Sequence, residues 1–229
     1  MKSTDVCVVV RMYNEAAVVG PVVTELVQCF DHVVCVDDGS SDGSGAIARA
    51  AGALVVTHPV NLGGGAALKT GLRYASEVTD ATHFVTFDAD GQHQVSDALA
   101  MVELARTNDL DVVLGSRFLG LESDMPASRR ALLRAAALFT RVTTGVALTD
   151  SHNGLRVLSR RFATRLRLTI AGMGYASELI AALGADDVTY AEHPVTVLYT
   201  DYSLGKGQRN LNSVNIVVDL ALTRLWSPA

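Results

Sequence analysis

Short apolar runs, most of them ending in glycine and carboxylate residues, alternate along the chain with stretches whose apolar positions recur every three or four residues. Residues 6–10 (Val-Cys-Val-Val-Val), 33–36, 53–57, 84–87 and 111–114 are runs of the first kind. Their length and their β-branched or aromatic content predict buried strands. Between them, Val18, Val22, Leu26 and Cys29 fall on one side of a helix. Ile47 belongs to a second helix, Leu68, Leu72 and Tyr74 to a third, and residues 95–105 to a fourth. Strands alternating with helices through short joins predict an α/β fold, a mostly parallel central sheet flanked by helices.

The second half is less regular. A helix is expected over 128–145, a short strand over 155–158, a helix over 175–183 and extended stretches at 188–191 and 195–199. A terminal helix over 208–226 carries Leu211, Val214, Val218, Ala221 and Leu225 at helical spacing. No repeat, linker or second boundary interrupts residues 1–229, so a single domain is expected. In the 128–145 helix, Arg130, Arg134 and Arg141 share an arc of about 40° at roughly 100° per residue. That arc suits either a solvated face over a core or an element lying on anionic lipid.

Composition narrows the classes. A net charge of −5 argues against general nucleic-acid binding. Cys7, Cys29 and Cys35 lack metal-ligand spacing and read as core residues of a reducing compartment. No run approaches the roughly 20 apolar residues that span a bilayer, and the first residues lack a signal-peptide core. A cytoplasmic protein, soluble or peripheral on the membrane face, is the expectation.

The candidate chemistry gathers around residues 84–93. The strand there ends in Asp88 and Asp90, followed by Gly91. Asp37 and Asp38 also follow a strand, and in a parallel sheet all four carboxylates meet at one edge, where open α/β sheets bind ligands. Asp88, Asp90 and Gln92 offer hard oxygen ligands suited to Mg2+ or Mn2+ rather than zinc. The glycines at 63–65 fail both phosphate-loop patterns at Leu68. They suit close backbone approach and a helix start, with Lys69 placed to reach the site from that helix. Arg117 follows another strand, and Asp150 lies in the polar turn before residue 155 as a candidate base or orienting group.

In their order along the chain, Tyr13-Asn-Glu15, residues 36–43, Asn61-Leu-Gly63, residues 88–92, Ser116-Arg-Phe118 and residues 151–156 resemble family 2 glycosyltransferases of the A-type, Rossmann-like fold. The likeness is strongest to the dolichyl- and polyprenyl-phosphate glycosyltransferases, the dolichol-phosphate mannosyltransferases among them. It implies inverting, metal-dependent transfer from a GDP- or UDP-sugar to a lipid phosphate by a protein resting on the membrane. By the same resemblance Tyr13, Glu15 and Asp38 hold the nucleotide, with Arg11, Val36, Asp37 and Lys69 counted beside them. Asp88, Ala89 and Asp90 take the diphosphate and metal, with Gln92 as a further ligand. Arg117, Arg130 and Lys206 meet the acceptor phosphate, and Asp90, Arg117 and Asp150 form the catalytic set.

The chain departs from the family where Arg11-Met12 replaces Pro-Thr, where Thr200 replaces an arginine, and where residues 204–207 read Leu-Gly-Lys-Gly. A sugar-hydroxyl acceptor would instead need Asp150, His93 or His152 as base. A nucleotide-sugar-binding module without catalysis and a homo-oligomer are the other readings left open.

Overall fold

The structure, a computed structural model, describes residues 2–120, 127–172 and 174–198, the side chains of residues 127–129 and 132 excepted. Lys206 and the helix expected at 208–226 lie outside the described residues. The elements run β1 (Ser3–Met12), α1 (Val19–Cys29), β2 (Phe30–Asp37), α2 (Ser44–Ala50), β3 (Leu54–Thr57), α3 (Gly64–Val78) and β4 (His83–Asp88). There follow α4 (Val95–Thr107), β5 (Val112–Ser116), α5 (Ala127–Thr144), β6 (Arg156–Ser159), α6 (Arg160–Arg165), α7 (Tyr175–Ala182) and β7 (Tyr190–Pro194).

Among the described residues the strands form one seven-stranded sheet in the order β3-β2-β1-β4-β6-β5-β7. All neighbours are parallel except β6, which runs antiparallel to both β4 and β5. The chain winds outward from β1 through β2 to β3, then returns to place β4 on the other flank of β1. The gap between the carboxyl ends of β1 and β4 is therefore the topological switch point, where such sheets bind ligands.

The near-continuous apolar runs of β1, β2, β4 and β5 are explained by burial on both faces. Strand β3, expected to be buried, lies at a sheet edge with Leu54 46% exposed. Val6, Val8 and Val10 pack with Val23, Leu26 and Met101 on one side, while Cys7 and Val9 pack with Leu68, Leu72 and Leu179 on the other. Each fully buried aromatic, such as Phe30, Phe84 or Phe87, contributes about 1.5–3 kcal/mol through lost apolar exposure. Helix α3 lies close on the sheet because Gly71 has no Cβ, which would overlap Val9 and crowd Val36.

Cys7 and Cys35 are core residues, as read from the sequence, and burial pushes both thiols up to about 12. The thiolate is the reactive form. Both should therefore resist iodoacetamide at pH 8 in the folded protein and react on unfolding, as mass mapping of the labelled peptides would report. Rapid native-state labelling of either would contradict their placement.

Several boundaries differ from the sequence reading. Strand β2 starts at Phe30, three residues before the expected run, and β7 forms one strand over 190–194. Helix α6 was not expected: six residues are too few to show a helical period, although Ser159 caps it by accepting from the Phe162 N–H at 3.1 Å. Helix α5 matches the expected 128–145 closely. It buries Ala137 and Thr140 and exposes Leu138 and Val142, 62% and 77% exposed. No helix among the described residues is long and apolar enough to cross a membrane.

Candidate active site

A cleft of about 360 Å³ opens at the switch point. It is lined from β1 and its following loop by Arg11, Tyr13 and Glu15, from β2 by Asp38, from the start of α3 by Asn61, Gly63, Gly64 and Ala67, and from β4 by Asp88, Ala89 and Asp90. The first wall is a set of loops tied together by short polar side chains. Asn14, at φ 53°, accepts from the Ser41 N–H through Oδ1, and its own N–H donates to Ser40 Oγ. The Glu15 N–H donates to Ser44 Oγ and the Ala16 N–H to Asp42. The two polar segments after β1 and β2 thus brace each other and leave Tyr13, 45% exposed, at the rim.

Asp38 secures the second wall. Its carboxylate accepts from the Leu62 and Gly63 N–H groups at 2.9 and 2.8 Å and lies 2.7 Å from His58 Nδ1. His58 Nε2 in turn lies 2.9 Å from Thr70 Oγ1 on α3. The sequence reading passed over His58, whose only signal was its place just after a strand. Gly63, at φ 98°, and Gly65 let the chain pass against the Ala171 carbonyl, which accepts from the Gly65 N–H at 2.7 Å. Close approach and a helix start, as expected, account for this glycine run.

The third wall carries the charge. Arg11 and Asp88 are register partners on β1 and β4, and the guanidinium forms an ion pair with Asp88 Oδ1 and donates to the Tyr175 hydroxyl. His93 Nε2 stands 3.4 Å from Asp88 Oδ2, its ring edge-on to Phe87. Gly154 backs directly onto this carboxylate, since a Cβ there would overlap it. Burial works against ionisation of Asp88, but the Arg11 charge and His93 outweigh it and hold the carboxyl well below its ordinary range. Asp90 differs. Burial and the Asp88 charge push it up, the Gln92 N–H donates to it at 3.0 Å, and no cationic side chain pairs with it among the described residues.

These residues fit a hard divalent cation. No three His, Cys, Asp or Glu side chains converge among the described residues. A cation would therefore draw one or two carboxylates from the protein and its other ligands from phosphate and water, as Mg2+ does beside nucleotides. Asp90, with no ion-pair partner among the described residues, is the freer donor, with Gln92 beside it; both oxygens of Asp88 are already engaged.

Beyond Asp88, the edge continues to β5 and the turn before β6. Arg117 donates through Nε and Nη2 to Asp150 at 2.6 and 2.9 Å, and its backbone N–H donates to the same carboxylate at 3.2 Å. The His152 N–H adds a fourth bond at 3.1 Å. Burial opposes ionisation of Asp150, but the hydrogen bonds and charge of Arg117 prevail and lower its pKa. Glu192 on β7 fixes the turn by accepting from the Thr149 and Asp150 N–H groups.

Of the residues expected at the site, Arg11, Tyr13, Glu15, Asp38, Asp88, Ala89 and Asp90 line the cleft. Asp37 does not: it accepts from the Ser40 N–H and turns toward Gly45 on α2. The Val36 side chain is buried against α3, and Lys69 is exposed outside the lining. Arg130 is half-buried on α5.

A nucleotide-sized cleft at an A-type switch point, floored by an Asp-x-Asp carboxylate pair, defines a glycosyltransferase architecture. Residues 7–165 match the model of Glycosyl transferase family 2, and the chain belongs to that family. It is a glycosyltransferase. It is 30% identical over 227 residues to uncharacterized protein MJ1222 of Methanocaldococcus jannaschii, covering 97% of this chain and 93% of that one. It is 26% identical, over 95% of both chains, to the UDP-N-acetylglucosamine–dolichyl-phosphate N-acetylglucosaminyltransferase of Methanococcus voltae. Among solved structures, glucosyl-3-phosphoglycerate synthase from Mycobacterium tuberculosis, in complex with Mn2+, UDP-glucose and phosphoglyceric acid, superposes with a TM-score of 0.71. That match is 21% identical and covers 99% of this chain and 81% of the other, a likeness of fold.

Proposed function

We propose that the chain transfers a sugar from a nucleoside-diphosphate sugar, bound with a divalent cation, to a polyprenyl phosphate, inverting the anomeric carbon. The observation that carries the acceptor is the Arg117–Asp150 pair. A hydroxyl acceptor needs a base, and the carboxylate best placed for it is buried, bidentately engaged and lowered in pKa. The neighbouring His152 is a weakened base, its pKa lowered by burial first and by Arg156 and Arg117, against the opposing pull of Asp150. A phosphate acceptor is already ionised near neutral pH and needs positioning by cations rather than deprotonation.

In the reaction the bond from C1 to the donor's β-phosphate breaks and the nucleoside diphosphate leaves with its electrons. A bond forms between C1 and an acceptor phosphate oxygen, with no proton to move. Asp90 and Gln92 would hold the cation, which when bound neutralises charge growing on the leaving diphosphate. The Asn61–Gly64 loop and Tyr13 flank the nucleotide, and Arg117, its guanidinium fixed by Asp150, addresses the acceptor. The relative of Methanococcus voltae is named for a dolichyl-phosphate acceptor, and the Mycobacterium tuberculosis structure holds Mn2+ and UDP-glucose; both support this reading. Leu138 and Val142, exposed on α5 alongside Arg134 and Arg141, support contact with a membrane surface.

Incubating the protein with a panel of UDP- and GDP-sugars, Mn2+ and a polyprenyl phosphate, followed by mass detection, tests the proposal. A lipid product one sugar heavier is expected from at least one donor. Transfer only to soluble sugars would replace the lipid acceptor by a hydroxyl one. Donor binding without any product would mark a non-catalytic module.

A further inference from the structure

Arg156, at the start of β6, is 2% exposed, yet among the described residues its guanidinium has neither a hydrogen-bond acceptor nor an ion-pair partner. Its Nε is buried without a partner, and its guanidinium carbon lies over the Tyr175 ring, 5.9 Å from the centroid. Burying a cation in this way is strongly unfavourable unless an anion joins it.

The two carboxylates that act on Arg156 are both taken. Asp88 is held by Arg11 and His93, and Asp150 by Arg117. Burial lowers the pKa of Arg156, with the Arg11 charge adding to that effect against the pull of Tyr175, Asp88 and Asp150. Arg11 sits against the same ring at 5.0 Å, so two guanidinium groups share Tyr175.

The backbone shows why the arginine stands here. Arg156 pairs with Thr86 on β4, two residues before Asp88, and with Leu114 on β5, three residues before Arg117. The Gly154 carbonyl accepts from Thr86 Oγ1 at 2.6 Å, pinning the turn against β4. Arg156 is thereby set between the Asp88 end of the edge and the Arg117–Asp150 pair. A nearby Asn153 Nδ2 is also a buried donor with no partner. Unsatisfied donors of this kind mark a place where a ligand completes the bonding.

We propose that Arg156, with Arg11 against the same Tyr175 ring, binds a phosphate oxygen of a substrate where donor and acceptor meet. The inference rests on the proposed function for the identity of those substrates. The phosphate can come from the donor's diphosphate or from the acceptor, and Arg156→Met and Arg156→Lys variants separate the two sources. Affinities are measured by calorimetry for UDP and GDP, each with Mn2+, and for a short-chain polyprenyl phosphate in detergent.

Arg156→Met is expected to weaken at least one probe 10-fold or more, with partial recovery in Arg156→Lys. Loss confined to the nucleoside diphosphates assigns the donor phosphate; loss confined to the lipid phosphate assigns the acceptor. The melting temperature should hold or rise in Arg156→Met, because the removed cation has no internal partner, whereas losing a purely structural arginine would lower it. Unchanged affinity in both arms, or a lower melting temperature with binding intact, would overturn the inference alone. Failure of the unaltered protein to bind any probe would overturn the proposed function as well.

Discussion

Replacing Asp90 by asparagine is expected to cut sugar transfer by about 10²–10³-fold, the usual effect of losing one group that stabilises developing charge, without lowering thermal stability. The carboxylate is pushed up by burial and by the Asp88 charge, against the weaker support of the Gln92 N–H and His93 for its ionised form. A carboxyl whose folded pKa is raised binds its proton more tightly in the native state. Stability then falls as pH rises from the ordinary carboxylate range through the folded value. An amide carries no such penalty. Initial rates at saturating donor and Mn2+, with calorimetric melting at pH 7, check both halves. An undiminished rate would remove Asp90 from the reaction, and a large fall in melting temperature would recast it as structural.

Asp150→Asn is expected to do the reverse, damaging the fold and the reaction together. The substitution leaves Arg117, whose side chain is 9% exposed, without its buried counter-charge. Breaking such a pair costs about 3–5 kcal/mol. In a chain of this length each kcal/mol shifts melting by about 2–4 °C, so a fall of roughly 10 °C follows. Transfer to lipid phosphate should drop as well, because Arg117 loses the partner that aims it. The pH dependence has a definite sign. The folded pKa of Asp150 is lowered, so the pair's contribution is present above the ordinary carboxylate value and is lost as pH falls through the lowered one. The wild type should therefore lose stability more steeply in acid than Asp150→Asn does. An unchanged melting temperature with normal lipid transfer would mean that the pair neither stabilises nor positions.

Much of this edge was legible in the chain before any coordinates. The apolar runs over 6–10 and 84–87, each followed by polar residues, locate β1, β4 and the cleft between them. Asp38 and Asp37 look equivalent in sequence, yet successive side chains at a strand end point to opposite faces. Asp38 meets Gly63 and Asp37 turns to Gly45. Asp88 and Asp90, two residues apart, escape that division. The partners of Asp88 were not legible: Arg11 faces it only through the β1–β4 register, and Tyr175 arrives from a helix far along the chain.

The direction of β6 hid the remainder. In an all-parallel sheet the turn preceding a strand lies at the edge away from the site. Because β6 runs antiparallel to β4, residues 150–154 fall at the carboxyl edge, and Asp150 and Gly154 reach Arg117 and Asp88. No periodicity or spacing reports strand direction for a four-residue strand.

The most direct test is the chemistry of the bond that is made. A nucleotide sugar labelled with 13C at C1 is incubated with the protein, Mn2+ and a polyprenyl phosphate, and the purified product is examined by 13C and 31P NMR. The expected spectrum shows C1 coupled to a single phosphorus as a phosphomonosaccharide, with anomeric configuration opposite to that of the donor. A product with C1 joined to a carbon-borne oxygen, or with the donor's configuration retained, would contradict inverting transfer to a phosphate at this site.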